Sequence, residues 1–181
     1  MVFDFTKASL AGQIVPTELE NIMLDATTDL KSMLKRPDLV CSQAFVGGEW
    51  VDAKSGKTFD VTNPARGDVI ATVTDLDRSE ITQAIDAAHK SQKAWAALAA
   101  KERAKVLRKW FDLLMANQED LAIIMTAEQG KPLVESRGEV AYGASFVEWF
   151  GEEAKRNYGE TIPGHMADKR ITVIKQPIGV A

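Results

Sequence analysis

Val69-Ile70-Ala71-Thr72-Val73, followed after a short polar step by Asp77-Arg78-Ser79-Glu80-Ile81, is where the chain changes its period. The first run is short, rich in branched residues and reads as a strand. In the second, Asp77 can accept the free N–H groups of a first helical turn, and Glu80, three residues on, can reach back to Asp77. Beyond it Ile81, Ile85, Ala88, Gln92 and Trp95 recur on one helical face. Strand chemistry before Asp77 and helix chemistry after it predict a chain that contains both strands and helices.

Upstream, Ala44-Phe45-Val46, Gly47-Gly48 and Glu49-Trp50-Val51 form a hairpin signature. A second turn at Ser55-Gly56-Lys57 leads into a strand at Phe59 to Pro64. Ala65-Arg66-Gly67-Asp68 then reverses the chain into Val69. These strands predict a small antiparallel meander. From Pro16 to Lys35 a weak helical stripe of Leu19, Ile22, Met23, Leu30, Met33 and Leu34 predicts a loosely attached extension over 1–38, ended by Arg36-Pro37-Asp38.

Downstream, Lys101 to Met115 carries Val106, Leu107, Trp110, Phe111, Leu113 and Leu114 around more than half its circumference, which predicts a buried helix. Asn117 breaks it. A shorter helix with Leu121, Ile124 and Met125 ends at Gln129-Gly130-Lys131-Pro132, where Gly suits a left-handed C′ position and Pro an N1 position. The next helix is expected from Leu133 to about Tyr158, with Tyr142, Phe146, Trp149 and Phe150 on one stripe and Lys155 and Arg156 in the last turn. Arg170 to Gln176 alternates and predicts a long edge strand before Pro177.

Composition narrows the function classes. The 181 residues are 45% hydrophobic and 27% charged, which excludes a disordered or fibrous chain. A net charge of −4 has the wrong sign for a bulk-charge partner of nucleic acid. No apolar run is long enough for a membrane span, and the first residues match no targeting pattern, so a cytoplasmic protein is expected. The single cysteine suits a reducing compartment.

Candidate chemistry is sparse. Cys41 has no His or cation among its sequence neighbours to favour a thiolate, His89 falls on a polar helix flank, and His165 sits in an expected loop. No metal-ligand spacing accompanies either histidine. Glu148, Glu152 and Glu153 could do acid–base work, but Lys155 and Arg156 lie close by and favour a solvated, paired face. Tyr142 and Phe146 could be core or could line an apolar tunnel. Arg170 to Gln176 could be an ordinary sheet member or an arm that pairs with another subunit.

Phe45-Val46-Gly47-Gly48-Glu49-Trp50-Val51-Asp52-Ala53, Val61-Thr62-Asn63-Pro64 with Gly67-Asp68-Val69-Ile70-Ala71, Glu128-Gln129-Gly130-Lys131-Pro132 and Gly159-Glu160-Thr161-Ile162-Pro163 occur in an order that resembles the N-terminal part of the aldehyde dehydrogenase superfamily. The runs 145–150, 165–170 and 173–180 resemble the succinate-semialdehyde dehydrogenases of bacteria, and relatives acting on glutarate semialdehyde share much of the pattern. The resemblance spans about Leu34 to Ala181 and leaves most of the first 32 residues unmatched, so a translation start at Met33 is an expectation that intact mass would test.

The resemblance implies an α/β, aldehyde dehydrogenase-like but incomplete fold: the first part of the NAD(P)-binding domain over 39–158, then the start of an oligomerisation β-arm over 159–181. The helices would normally pack on a parallel sheet built from later sequence, leaving apolar surface around Trp110, Phe111, Trp149 and Phe150. The resemblance also implies oxidation of a semialdehyde with NADP or NAD: thiolate attack, hydride transfer and thioester hydrolysis. In the family, the oxyanion-stabilising Asn, the cofactor loop, the general-base Glu and the nucleophilic Cys follow the position of Ala181. It therefore assigns no catalytic, cofactor-binding or metal residue here, and implies a fragment inactive alone. By position it places Tyr142 and Phe146 beside the substrate funnel. Some relatives hold a monovalent cation on backbone carbonyls near the positions of Thr62 and Glu128. A homo-oligomer through the 159–181 arm is the implied assembly, and a non-catalytic assembly fragment, or a piece of another aldehyde dehydrogenase, is the alternative.

Overall fold

A computed structural model describes residues 29–180. Residues 16–28 of the expected N-terminal stripe lie outside the described residues. Among the described residues, three antiparallel hairpins accompany four α-helices. Strand β1 (Ala44–Val46) pairs with β2 (Glu49–Val51), and β3 (Thr58–Thr62) pairs with β4 (Val69–Thr74). The four helices are α1 (Arg78–Ala97), α2 (Ala100–Ala116), α3 (Gln118–Gln129) and α4 (Leu133–Glu153). The last hairpin joins β5 (Glu160–Pro163) to β6 (Arg170–Val173).

The local signals before α4 act as the sequence predicts. Gly47 and Gly48, with φ of 62° and 99°, make the turn between β1 and β2. At Asp77 the capping box is complete: the Asp77 carboxylate accepts from Glu80 N, and Glu80 accepts from Asp77 N, each at 2.9 Å. Glu80 also accepts from Lys54 N at 2.8 Å, so one buried carboxylate ties the loop after β2 to the start of α1. Asn117 separates α2 from α3.

Five expectations need correction. The meander is two separate hairpins: no ladder joins β2 to β3. They are linked instead by Thr74 N donating to the Ser42 carbonyl and Ala53 N donating to the Thr74 hydroxyl. Pro132 is the N-cap of α4 rather than N1, with ψ of 140°, and its carbonyl accepts from Glu135 N and Ser136 N. Helix α4 stops at Glu153, five residues early. Lys155 N and Arg156 N bond three residues back, to Glu152 and Glu153, and this tighter geometry ends the α ladder before either cation can sit in its last turn. The strand from Arg170 ends at Val173, because its partner β5 is only four residues long. Helix α2 buries no residue fully, because its packing partners, α4 and α3, leave much of its apolar circumference open.

The buried side chains concentrate where α3 and α4 meet: Ala122, Ala127, Ser136, Val140 and Ala144. The segment before β1 is seated on this unit. A short 3-10 turn at Leu30–Met33 packs on α3, with Leu30 and Leu34 buried.

Candidate functional site

Helix α4 has two faces that do different things. Ser136, Val140 and Ala144 recur every four residues and are buried, while Tyr142, Phe146, Trp149 and Phe150 point away from that contact and are exposed. Tyr142 is 64% exposed and Phe146 46% exposed. Their rings meet edge to face, with centroids 4.8 Å apart and planes at 77°, a favourable geometry for an i,i+4 aromatic pair. The Ser145 hydroxyl donates to the Tyr142 carbonyl at 2.7 Å. The pair offers shape and apolar surface, which suits guiding a substrate rather than reacting with it.

Polar bonds set the position of α4. The Arg137 guanidinium forks onto Glu119 at 2.7 and 2.8 Å, and the Gln118 amide donates to the Arg137 carbonyl at 2.9 Å. The pairing holds the Glu119 carboxyl below its ordinary range and raises Arg137, chiefly through the hydrogen bonds between them. Thr126 and Ser136 share a hydroxyl–hydroxyl bond of 2.9 Å. Near the far end of α4, a Cβ on Gly151 would come within 3.2 Å of Leu107, so the absent side chain lets α2 lie close. The three carboxylates near that end of α4 are paired: Glu148 with Arg108 at 3.0 Å, and Glu152 and Glu153 with Arg156 at 3.9 and 2.7 Å. They form a solvated ion-pair face, as the nearby cations indicate.

The remaining sequence candidates lie on other elements. The Cys41 thiol is exposed and lies 3.9 Å from the Gln43 carbonyl. His89 is exposed on α1, and His165 is exposed in the β5–β6 loop, where it lines a 520 Å³ concavity with Met166 and Arg170. Among the described residues no three His, Cys, Asp or Glu side chains gather as a metal site. The helices are entered from Asp77, Ala99, Asn117 and Pro132, and no glycine-rich turn opens any of them, so these residues do not fit a dinucleotide's pyrophosphate.

Two of the sequence runs that lie far apart in the chain are neighbours in space. Gly130, the left-handed cap of α3 with φ of 74°, approaches Pro64 so closely that an added Cβ would stand 2.9 Å from its Cγ. Asn63 organises that loop: it is buried, its side chain accepts from Ala65 N and its carbonyl from Gly67 N. Sequence inspection missed the roles of Glu119 and Asp120, although two acids in a first helical turn just after Asn117 are a readable N-terminal signal.

The described helices include none long and apolar enough to cross a membrane. Residues 50–181 match the aldehyde dehydrogenase family. The chain is 60% identical over 147 residues to glutarate-semialdehyde dehydrogenase of Pseudomonas putida, covering 81% of this chain and 31% of that protein. It is 58% identical over 147 residues to the NADP(+) succinate-semialdehyde dehydrogenase of Escherichia coli, covering 81% and 30%. A solved NADP-dependent enzyme of E. coli superposes with a TM-score of 0.78 at 57% identity, over 80% of this chain and 30% of that one. An aldehyde dehydrogenase of Brucella melitensis gives 0.77 at 60% identity with the same coverage. The chain thus spans about a third of the length of these relatives. With the family match extending over most of its residues, the chain belongs to the aldehyde dehydrogenase family.

Proposed function

We propose that the chain is the N-terminal third of an NAD(P)-dependent semialdehyde dehydrogenase that oxidises succinate semialdehyde to succinate in the cytoplasm. The observation that carries this reading is the identity of about 60% to semialdehyde dehydrogenases across four-fifths of the chain. Glutarate semialdehyde is the second substrate in the reading, because relatives named for it are equally similar. The two substrates are homologous ω-oxo acids, one methylene apart, a difference that an apolar pocket separates only weakly.

Within such an enzyme, Tyr142 and Phe146 form part of the wall along which the aldehyde travels. Their exposed rings, packed edge to face, support a guiding role. The nicotinamide cofactor would accept the hydride, and its binding is assigned to polypeptide outside this chain, as is the reactive thiolate. The β5–β6 hairpin is the start of an arm that pairs with another copy in a homo-oligomer, and its open backbone edges support that reading. A non-catalytic assembly role is the second class, resting on the same hairpin.

The test is a chimera in which residues 34–181 replace the matching part of the E. coli relative. It is expected to oxidise succinate semialdehyde within about tenfold of the parent kcat/KM, and a Tyr142→Ala, Phe146→Ala double variant is expected to raise KM more than it lowers kcat. A folded chimera without semialdehyde oxidation would overturn the proposal.

A further inference from the structure

The carboxylate of Asp120 is almost wholly buried, the residue being only 4% exposed, and the described contacts give it a single task. Its two oxygens accept from consecutive backbone groups 84 and 85 positions earlier, Oδ2 from Arg36 N at 2.8 Å and Oδ1 from Lys35 N at 3.1 Å. These bonds fall just after Leu30 and Leu34, which are buried where the 3-10 turn meets α3, and just before Pro37, which opens a second 3-10 turn at Pro37–Leu39. We infer that Asp120 is a latch: it holds residues 30–36 as a strap on the first turn of α3, and the strap opens as a unit without unfolding α3 and α4.

Two features make the strap separable. Its described anchors are two leucines and one carboxylate, whereas α4 is tied to α3 by the Arg137–Glu119 fork, the Gln118–Arg137 bond, the Thr126–Ser136 bond and a buried face. Beyond the Arg36 N bond to Asp120, the strap's exit is held by the Arg36 side chain's pairing with Asp38 two residues on. Asparagine at position 120 keeps one accepting oxygen and turns the other into a donor facing an N–H, so one of the two bonds is lost and a like pair is created.

Hydrogen exchange on the intact chain tests the latch. In the unaltered protein, the amides of Lys35 and Arg36 should exchange by an opening that needs less denaturant than the opening of α4 amides such as Val140 and Ala144. Asp120→Asn should speed exchange at Lys35 and Arg36 at least about tenfold and leave α4 protection within about twofold. Glu119→Gln, one residue away, should leave strap exchange unchanged. Exchange of Lys35 and Arg36 only together with α4 in the unaltered protein would overturn the latch. Unchanged exchange at both amides in Asp120→Asn would do the same.

Discussion

The α2–α4 unit and the β5–β6 hairpin are held by different forces. In the helical unit, Ala122, Ala127, Ser136, Val140, Ala144 and Gly151 are buried, and cross-links run between elements far apart in sequence. In the hairpin, every strand residue is exposed, and order comes from the cross-strand pairs Thr161–Thr172 and Ile162–Ile171 and from backbone contact. A Cβ on Gly159 or Gly164 would overlap the Val173 or Lys169 carbonyl oxygen. Burial and polar cross-links keep the helices together, whereas cross-strand pairing and close backbone contact set the hairpin. An isolated two-stranded hairpin is marginal in water, so the second region depends on what it pairs with in a way the first does not.

The largest expected effect comes from breaking the hairpin's geometry. Gly164→Val should abolish the β5–β6 register, seen as loss of amide protection over 160–173, while the melting transition of the helical unit stays in place. Loss of both together would show that the two regions are not independent.

A smaller effect is expected in the helices. Ala144 is 1% exposed, so Ala144→Leu forces extra methylenes between packed helices and should cost about 1–3 kcal/mol in chemical denaturation. Trp149→Ser on the open face of the same helix should stay within about 0.5 kcal/mol. Equal costs would contradict the two-faced reading of α4.

The smallest effect is electrostatic. Arg137 depresses the folded-state pKa of Glu119 below its ordinary value of 4.5. The pair's contribution is therefore full above that value and is lost as pH falls through the lower folded value. Both groups are more than a third exposed, so solvent screening holds the contribution to less than about 1 kcal/mol. Denaturation of wild type and Glu119→Gln should differ most near neutral pH and converge as the pH falls below the ordinary glutamate range. A gap that widens on acidification would reverse the assigned sign.

Local signals made much of the fold legible. Asp77 with Glu80, the Gly47-Gly48 turn and the Gly130 cap each act on backbone within a few residues, so sequence spacing suffices to find them. What was hidden depends on remote partners. Helix α2 carries enough apolar residues to look buried all round, yet Val106, Trp110 and Leu113 stay more than half exposed because α3 and α4 cover only part of it. Phe111 is partly covered by the Arg108 guanidinium, 4.9 Å above its ring, which no hydropathy pattern reveals. The same holds for the candidate surface. The Tyr142–Phe146 pairing follows from i,i+4 spacing, whereas the outward aim of the pair depends on Ser136 and Ala144 fitting against neighbouring helices.

In the proposed enzyme, this chain shapes and supports a site whose reacting groups lie on other polypeptide. The most direct measurement is formation of reduced cofactor by the purified chain given succinate semialdehyde with NADP or NAD. The account predicts no rate above the protein-free control at any chain concentration. A rate that rises in proportion to the chain would contradict it.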